Sequence, residues 1–164
     1  MKLSRLFPHV IAWAPMRRYF TPAVVESIQR AVAEGERRHA GQIRFAAEAA
    51  LPASEIVRGT TPRQRAEQVF TQLRVWDTHA NSGVLIYVLY ADRAIEIVAD
   101  RGIAAKVAQS EWTSICERMQ QRFAAREFER GSLEGIAAVS DLLAVHFPPV
   151  AGQQNELPDN PVLL

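Results

Sequence analysis

The sequence predicts an α/β protein: a three-layer α/β/α sandwich built on a small mixed β-sheet. Three observations carry this. Residues 81–103 read as one long β-hairpin whose charges, Glu96 apart, lie at its ends. Its first strand, Val84 to Tyr90, is apolar on both faces, as a central strand covered by helices on both sides must be. A further strand and a helix precede it in the order that makes a βαβ unit, with parallel strands.

The elements follow along the chain. Residues 1–20 form an apolar and basic segment holding Lys2, Arg5, Pro8, Pro15 and Arg17-Arg18. It is too short to span a bilayer and lacks a clear small-x-small cleavage pattern. Two expectations stand for it: packing on the domain, or peripheral contact with a membrane surface through its aromatic and basic residues. Thr21-Pro22 opens a helix as N-cap and first-turn proline. Val24, Val25, Ile28, Ala31 and Val32 give its buried stripe. The charged run Glu34 to His39 reads as a solvated face, and Gly41 as the end of the helix.

Gln42 to Leu51 predicts a strand, with Ile43, Phe45, Ala47, Ala49 and Leu51 on one face. Arg44 and Glu48 share the opposite face and are expected to pair. Pro52 to Thr60 reads as a loop. Thr61-Pro62-Arg63-Gln64 is a full capping box. Its helix carries Ala66, Val69, Phe70 and Leu73, extends through Trp76 and ends near Asp77 to Ala80. After the hairpin, Ser110 is expected to cap a helix with Trp112, Ile115, Cys116, Met119 and Phe123 inward. The last helix is expected from Ser132 to Phe147, stopped by Pro148-Pro149. The domain thus spans 21–147, and 148–164, rich in Gln, Asn, Gly and Pro, is read as a disordered tail.

Composition narrows the function. The 164 residues are 48% hydrophobic and 23% charged, with net charge +1. No global field draws in nucleic acid. The single cysteine, Cys116, sits on an apolar helical stripe and reads as a buried, inert thiol. It forms no internal disulfide, which fits a cytoplasmic location, peripheral at the membrane if residues 1–20 touch one. The four histidines show no metal-ligand spacing. No GxSxG elbow, GxxxxGK[ST] loop or GxGxxG turn occurs.

Carboxylates supply the one candidate site. The hairpin brings Asp77 and Asn81 toward Asp100 and Arg101 at its open end. Asp92 and Arg93 form a second candidate patch at the turn end. Oxygen donors on loops suit a hard cation such as Ca²⁺ or Mg²⁺, which can orient a phosphate or activate water. Arg101 would then clamp the phosphate. Strand ends are also where open α/β sheets hold ligands. The competing reading is local: Asp and Asn serve turns and caps for their own sake.

A resemblance attaches to these same residues. Asn81-Ser82-Gly83-Val84-Leu85-Ile86, Asp92-Arg93 and Ile97-Val98-Ala99-Asp100-Arg101-Gly102-Ile103 resemble the core of the TPM domain, whose pattern is roughly DNGVLLLV then DRRVRIEVGYGL. The stretch Glu127 to Ile136 is similar to that family's closing motif. The likeness covers about residues 40–147 and implies the same sandwich. It departs where Asn81-Ser82 stands for Asp-Asn and Asp100-Arg101-Gly102 for Gly-Tyr-Gly. The resemblance implies two functions. One is an accessory or interaction module, non-catalytic or weakly catalytic, acting with a protein partner in a membrane-associated process. The other is a divalent-cation-assisted phosphomonoesterase using Asp77, Asn81, Asp100 and Arg101.

Overall fold

The computed structural model describes residues 12–152 and 154–164. Helix α1 spans Trp13–Tyr19 and α2 Pro22–Glu36; strand β1 spans Gln42–Glu48. Helices α3 (Ala53–Arg58) and α4 (Pro62–Gln72) lead to β2 (Gly83–Leu89) and β3 (Ala94–Ala99). Helices α5 (Arg101–Ala104), α6 (Gln109–Ala124) and α7 (Phe128–His146) follow, and β4 (Val162–Leu163) comes last.

The strands form one four-stranded sheet in the order β3-β2-β1-β4. β1 and β2 run parallel, with Gln42 opposite Gly83 and Glu48 opposite Leu89. β2 and β3 form the expected antiparallel hairpin, with Val84 opposite Ala99. Alternation sorts each strand onto two faces. Val84, Ile86 and Val88 join Ile43, Phe45, Ala47, Ile95 and Ile97 in the larger core under α1, α2, α6 and α7. Leu85, Tyr87 and Leu89 join Ala46 and Val98 in a smaller core under α4. The three-layer α/β/α sandwich with its βαβ unit and hairpin is therefore the observed architecture.

Local signals place α2 and α4. The Thr21 hydroxyl accepts from the Val24 amide at 3.4 Å, with Pro22 in the first turn. Thr61 and Gln64 form the reciprocal capping box at the start of α4. Several expectations give way to tertiary context. Residues 53–58 form a short helix rather than open loop, ended by Gly59 in the left-handed conformation. Helix α4 stops at Gln72 and Arg74 turns left-handed (φ 54°), so Trp76 leaves the stripe and is 47% exposed. α2 ends at Glu36 rather than Gly41. α6 starts at Gln109 with Ala108, not Ser110, as N-cap. α7 starts at Phe128, a turn before Ser132.

The two ends of the chain fare differently: the described part of the first segment packs on the domain, one of its two expectations, and the tail departs from its own. Met16 and Phe20 are buried in the larger core with Ala12, so the apolar face of α1 is spent on the domain. The remainder of the apolar and basic segment, residues 1–11, lies outside the described residues. The tail, read as disordered, supplies the fourth strand. The Leu164 amide donates to the Ala47 carbonyl at 2.9 Å, and Val162 lies opposite Ala46. Among the described residues, no helix is long and apolar enough to cross a membrane.

Candidate functional site

Hairpin pairing brings the open end together as the sequence requires. The Asp100 amide donates to the Gly83 carbonyl at 2.8 Å. Asp100 then caps α5: its Oδ1 accepts from the Arg101 amide at 2.7 Å, and its carbonyl accepts from the Ile103 and Ala104 amides. Its second oxygen, Oδ2, is buried with no hydrogen-bond partner among the described residues. Asn81 is held left-handed (φ 51°), and its Oδ1 accepts from Arg101 Nε at 3.0 Å.

The loop before β2 is fixed against this cluster. The Ser82 amide donates to Thr78 Oγ1 at 2.9 Å, and the His79 amide to Glu156 Oε2 at 2.7 Å. Gly102 lets the loop approach closely: a Cβ there would sit 2.6 Å from the Asn81 carbonyl oxygen and 2.8 Å from that of Ala80. Asp77 is exposed and stays apart, making no hydrogen bond or ion pair with Asn81, Asp100 or Arg101. The structure thus joins Asn81, Asp100 and Arg101 and leaves Asp77 outside their hydrogen-bonded group. His79 is exposed, as expected of its loop position.

The cluster carries one negative and one positive charge, unlike a cation cage. A hard cation takes six to eight oxygens, several of them anionic. Here there is one carboxylate, half committed to its own helix cap, and a guanidinium hydrogen-bonded to the amide oxygen beside it. Among the described residues, no group of three or more His, Cys, Asp and Glu side chains is arranged to hold a metal. The donor set does not fit a divalent cation without displacement of Arg101.

The strand-end argument points elsewhere once the sheet is seen. β1 and β2 are parallel, and their carboxyl ends lie at the turn end of the hairpin. Open α/β sheets hold ligands at carboxyl ends, so the favoured rim is that of Tyr90 to Arg93, not the open end. Asp92 and Arg93 sit there in the turn, where the Arg93 amide donates to the Tyr90 carbonyl at 3.1 Å.

A buried polar network on the smaller core was not expected. Glu48 accepts from Arg65 Nε and Nη2, both at 2.9 Å, and from the Tyr87 hydroxyl. Burial, reinforced by the neighbouring carboxylate, pushes the Tyr87 phenol upward, so it stays protonated and donates. Hydrogen bonding to Glu48 raises Arg65 further. Arg44 does not pair with Glu48. Its guanidinium donates instead to the carbonyls of Pro158 and Asn160 in the tail. The sequence signal was present: Glu48 is one of three polar residues in central strand β1, with Gln42 and Arg44, and Tyr87 is the one polar side chain of β2.

The charged run at the end of α2 is not uniformly solvated either. His39 is fully buried, with Nδ1 at 3.1 Å from the Gly41 carbonyl oxygen. Burial lowers its pKa to about 4. Glu36 accepts from the Ile43 amide at 2.7 Å, and burial raises its carboxyl to about 8. Burial also pushes the Cys116 thiol up to about 12, which leaves it inert as a nucleophile, as expected.

Comparison with known proteins agrees with this architecture. Residues 16–142 match the family profile described as the TPM domain. The fold is similar to the BA42 protein of the psychrophilic bacterium Bizionia argentinensis, solved by NMR. Identity is 28% over 88% of this chain and 94% of that one, with a TM-score of 0.75. It is also similar to the N-terminal domain of a P. gingivalis protein, at 19% identity, 80% and 82% coverage, and a TM-score of 0.62. The N-terminal domain of the Corynebacterium glutamicum cg2496 protein shares the fold at 10% identity, 87% and 80% coverage, and a TM-score of 0.55. No curated protein matches the chain. With the profile covering most of its length and the hairpin, crossover and closing helix all in place, the chain belongs to the TPM-domain family.

Proposed function

We propose that this TPM domain is an accessory module, non-catalytic or weakly catalytic, that engages a partner in a membrane-associated process. The observation that carries this reading is the Arg101 guanidinium on Asn81 Oδ1. It puts the chain's own positive charge where a cation-assisted reaction would need a divalent ion. The inert Cys116 supports the same reading. Thermal unfolding with Ca²⁺, Mg²⁺ or Mn²⁺ and hydrolysis of a chromogenic phosphomonoester form the test, on the natural chain and on Asp100→Asn. The expected outcome is an unchanged midpoint and no turnover. A ligand at a hundred times its dissociation constant would add about 2.7 kcal/mol, which such a scan resolves. A midpoint raised by cation, with turnover lost in Asp100→Asn, overturns the proposal.

That second outcome belongs to the phosphatase reading, which one observation favours: Asp100 Oδ2 is buried, unpartnered and beside Arg101. In that reading a cation lies on Asp100, and Arg101 turns from Asn81 to clamp the phosphoryl oxygens. The cation would neutralise charge on the phosphate during attack.

A further inference from the structure

The carboxyl end of β2 opens onto a cavity of about 490 Å³. Tyr19, Tyr90, Arg93, Phe123, Arg126 and Phe128 are among the residues that line it. Its volume lies within the range of small-molecule sites, roughly 300–1,000 Å³. Three helices and the hairpin turn contribute to it, so the packed domain builds its shape in advance.

One wall is aromatic. Tyr19 stacks on Phe128 with ring centroids 4.1 Å apart, Phe123 lies 4.6 Å from Phe128, and Tyr90 5.8 Å from it. The rim is cationic. Neither Arg93 nor Arg126 forms an ion pair with a carboxylate among the described residues. Both guanidinium charges act on the Tyr90 hydroxyl, against the upward push of its burial. Tyr90, Arg93 and Arg126 thus line one cavity.

The backbone adds a pointer, one that Arg74 and Asn81 outside this cavity share. Arg93 (φ 52°) and Arg126 (φ 65°) both hold the left-handed conformation. Glycine takes that conformation freely, while a side chain with a Cβ is strained in it. Two unrelated turns, one after β2 and one after α6, thus carry arginine where the local fold favours glycine. Strain that persists in a packed structure points to a role for the side chain.

We propose that this cavity binds a small amphipathic anion. Its apolar body, flat enough to lie along the rings, would seat on Tyr19, Phe123 and Phe128. Its carboxylate or phosphate would be held between Arg93 and Arg126 by charge-assisted hydrogen bonds. This site stands apart from Asn81, Asp100 and Arg101 and does not rest on the accessory reading.

Calorimetric titration of the full chain with 2-naphthoate, 1-naphthyl phosphate and the neutral 2-naphthalenemethanol tests the proposal. Saturable binding of at least one anion is expected, with the alcohol about tenfold weaker or more because it forms no charge-assisted bond. The tighter anion identifies the headgroup. Arg93→Gly and Arg126→Gly should each weaken the anion about tenfold while leaving the unfolding midpoint unchanged or higher. Arg93→Gln and Arg126→Gln keep the left-handed strain, remove the charge and should lose the same affinity. Equal binding of anion and alcohol, undiminished binding in the Gln variants, or no saturable binding of either anion overturns the proposal. So does a fall in midpoint for both Gly variants, which would make the arginines structural.

Discussion

The guanidinium of Arg65 on α4 closes on both carboxylate oxygens of Glu48 on β1, in a layer where both side chains are nearly inaccessible. The Tyr87 hydroxyl from the next strand completes the group. This is the polar joint between the crossover helix and the sheet. A buried pair of this kind adds little net stability, yet breaking it strands a charge.

Arg65→Met, which leaves Glu48 charged and buried, is therefore expected to cost about 3–5 kcal/mol. Tyr87→Phe should cost only about 1 kcal/mol, the net value of one hydrogen bond. Adding Glu48→Gln to Arg65→Met should recover part of the loss. Urea unfolding of the two single variants at Glu48 and Arg65 and of their double variant gives the coupling. Strict additivity would show that the two side chains do not act as a pair.

Glu36 and His39 set opposite pH dependences. Glu36 binds its proton more tightly in the fold, with a pKa of about 8 against 4.5. Its contribution is complete below 4.5 and is lost as pH rises toward 8. His39 binds its proton more weakly, about 4 against 6.5. Its contribution is present above 6.5 and is lost as pH falls toward 4. Between these limits the two slopes, about 1.4 kcal/mol per pH unit each, nearly cancel. From pH 6.5 to 8 only Glu36 acts, and stability should fall. Unfolding curves across pH 5 to 9 should show that fall in the natural chain and its loss in Glu36→Gln. A fall of the same size in the variant would clear Glu36 of the effect.

The tail is held by side chains more than a hundred residues away. Gln42 Oε1 accepts from the amides of Glu156 and Leu157, at 2.8 and 3.0 Å. Leu157 is 6% exposed. Ending the chain after residue 153 removes that burial, worth about 1.5–3 kcal/mol. It also leaves buried Gln42 and Arg44 without their partners, at about 1–3 kcal/mol each. The truncated chain should unfold at markedly lower urea concentration and associate through the bared edge of β1. An unchanged midpoint and a monomeric elution profile would show that the tail is dispensable.

Two glycines separate rigid from yielding neighbours. A Cβ at Gly83 would lie 1.9 Å from the Val75 carbonyl oxygen, which is backbone. A Cβ at Gly135 would lie 2.4 Å from Met119 Sδ, on a flexible side chain. Gly83→Ala should cost about 3 kcal/mol or more, and Gly135→Ala distinctly less, because a thioether moves more cheaply than a peptide. Midpoints in the reverse order would mean that the loop before β2 is softer than its packing suggests.

Much of this was readable from the chain. Thr21-Pro22 and Thr61 to Gln64 fix two helix starts through groups one turn apart. The unbroken apolar run of β2 and the alternation of β3 give the hairpin, the central strand and the edge. From the open-end group, Asn81, Asp100 and Arg101 do meet, because antiparallel pairing makes one strand's start the neighbour of the other's end. Asp77 was not decidable in this way, since a loop whose path depends on left-handed Arg74 separates it from the strand. The Arg93 and Arg126 pair was half legible: the hairpin marks Arg93, but only the packing of α6 and α7 against the turn brings Arg126 to it.

Local and periodic causes account for the caps of α2 and α4, the hairpin, the two-faced central strand and hence the three-layer sandwich. Which partner each isolated polar side chain took was left to long-range packing. Arg44 turned to the tail, Glu48 to Arg65, and two distant arginines to one cavity. The physical reason is range. A helix cap or an alternating strand is settled within a few residues, whereas a buried charge must be satisfied by whatever group the finished fold brings within about 3 Å, however far along the chain it lies.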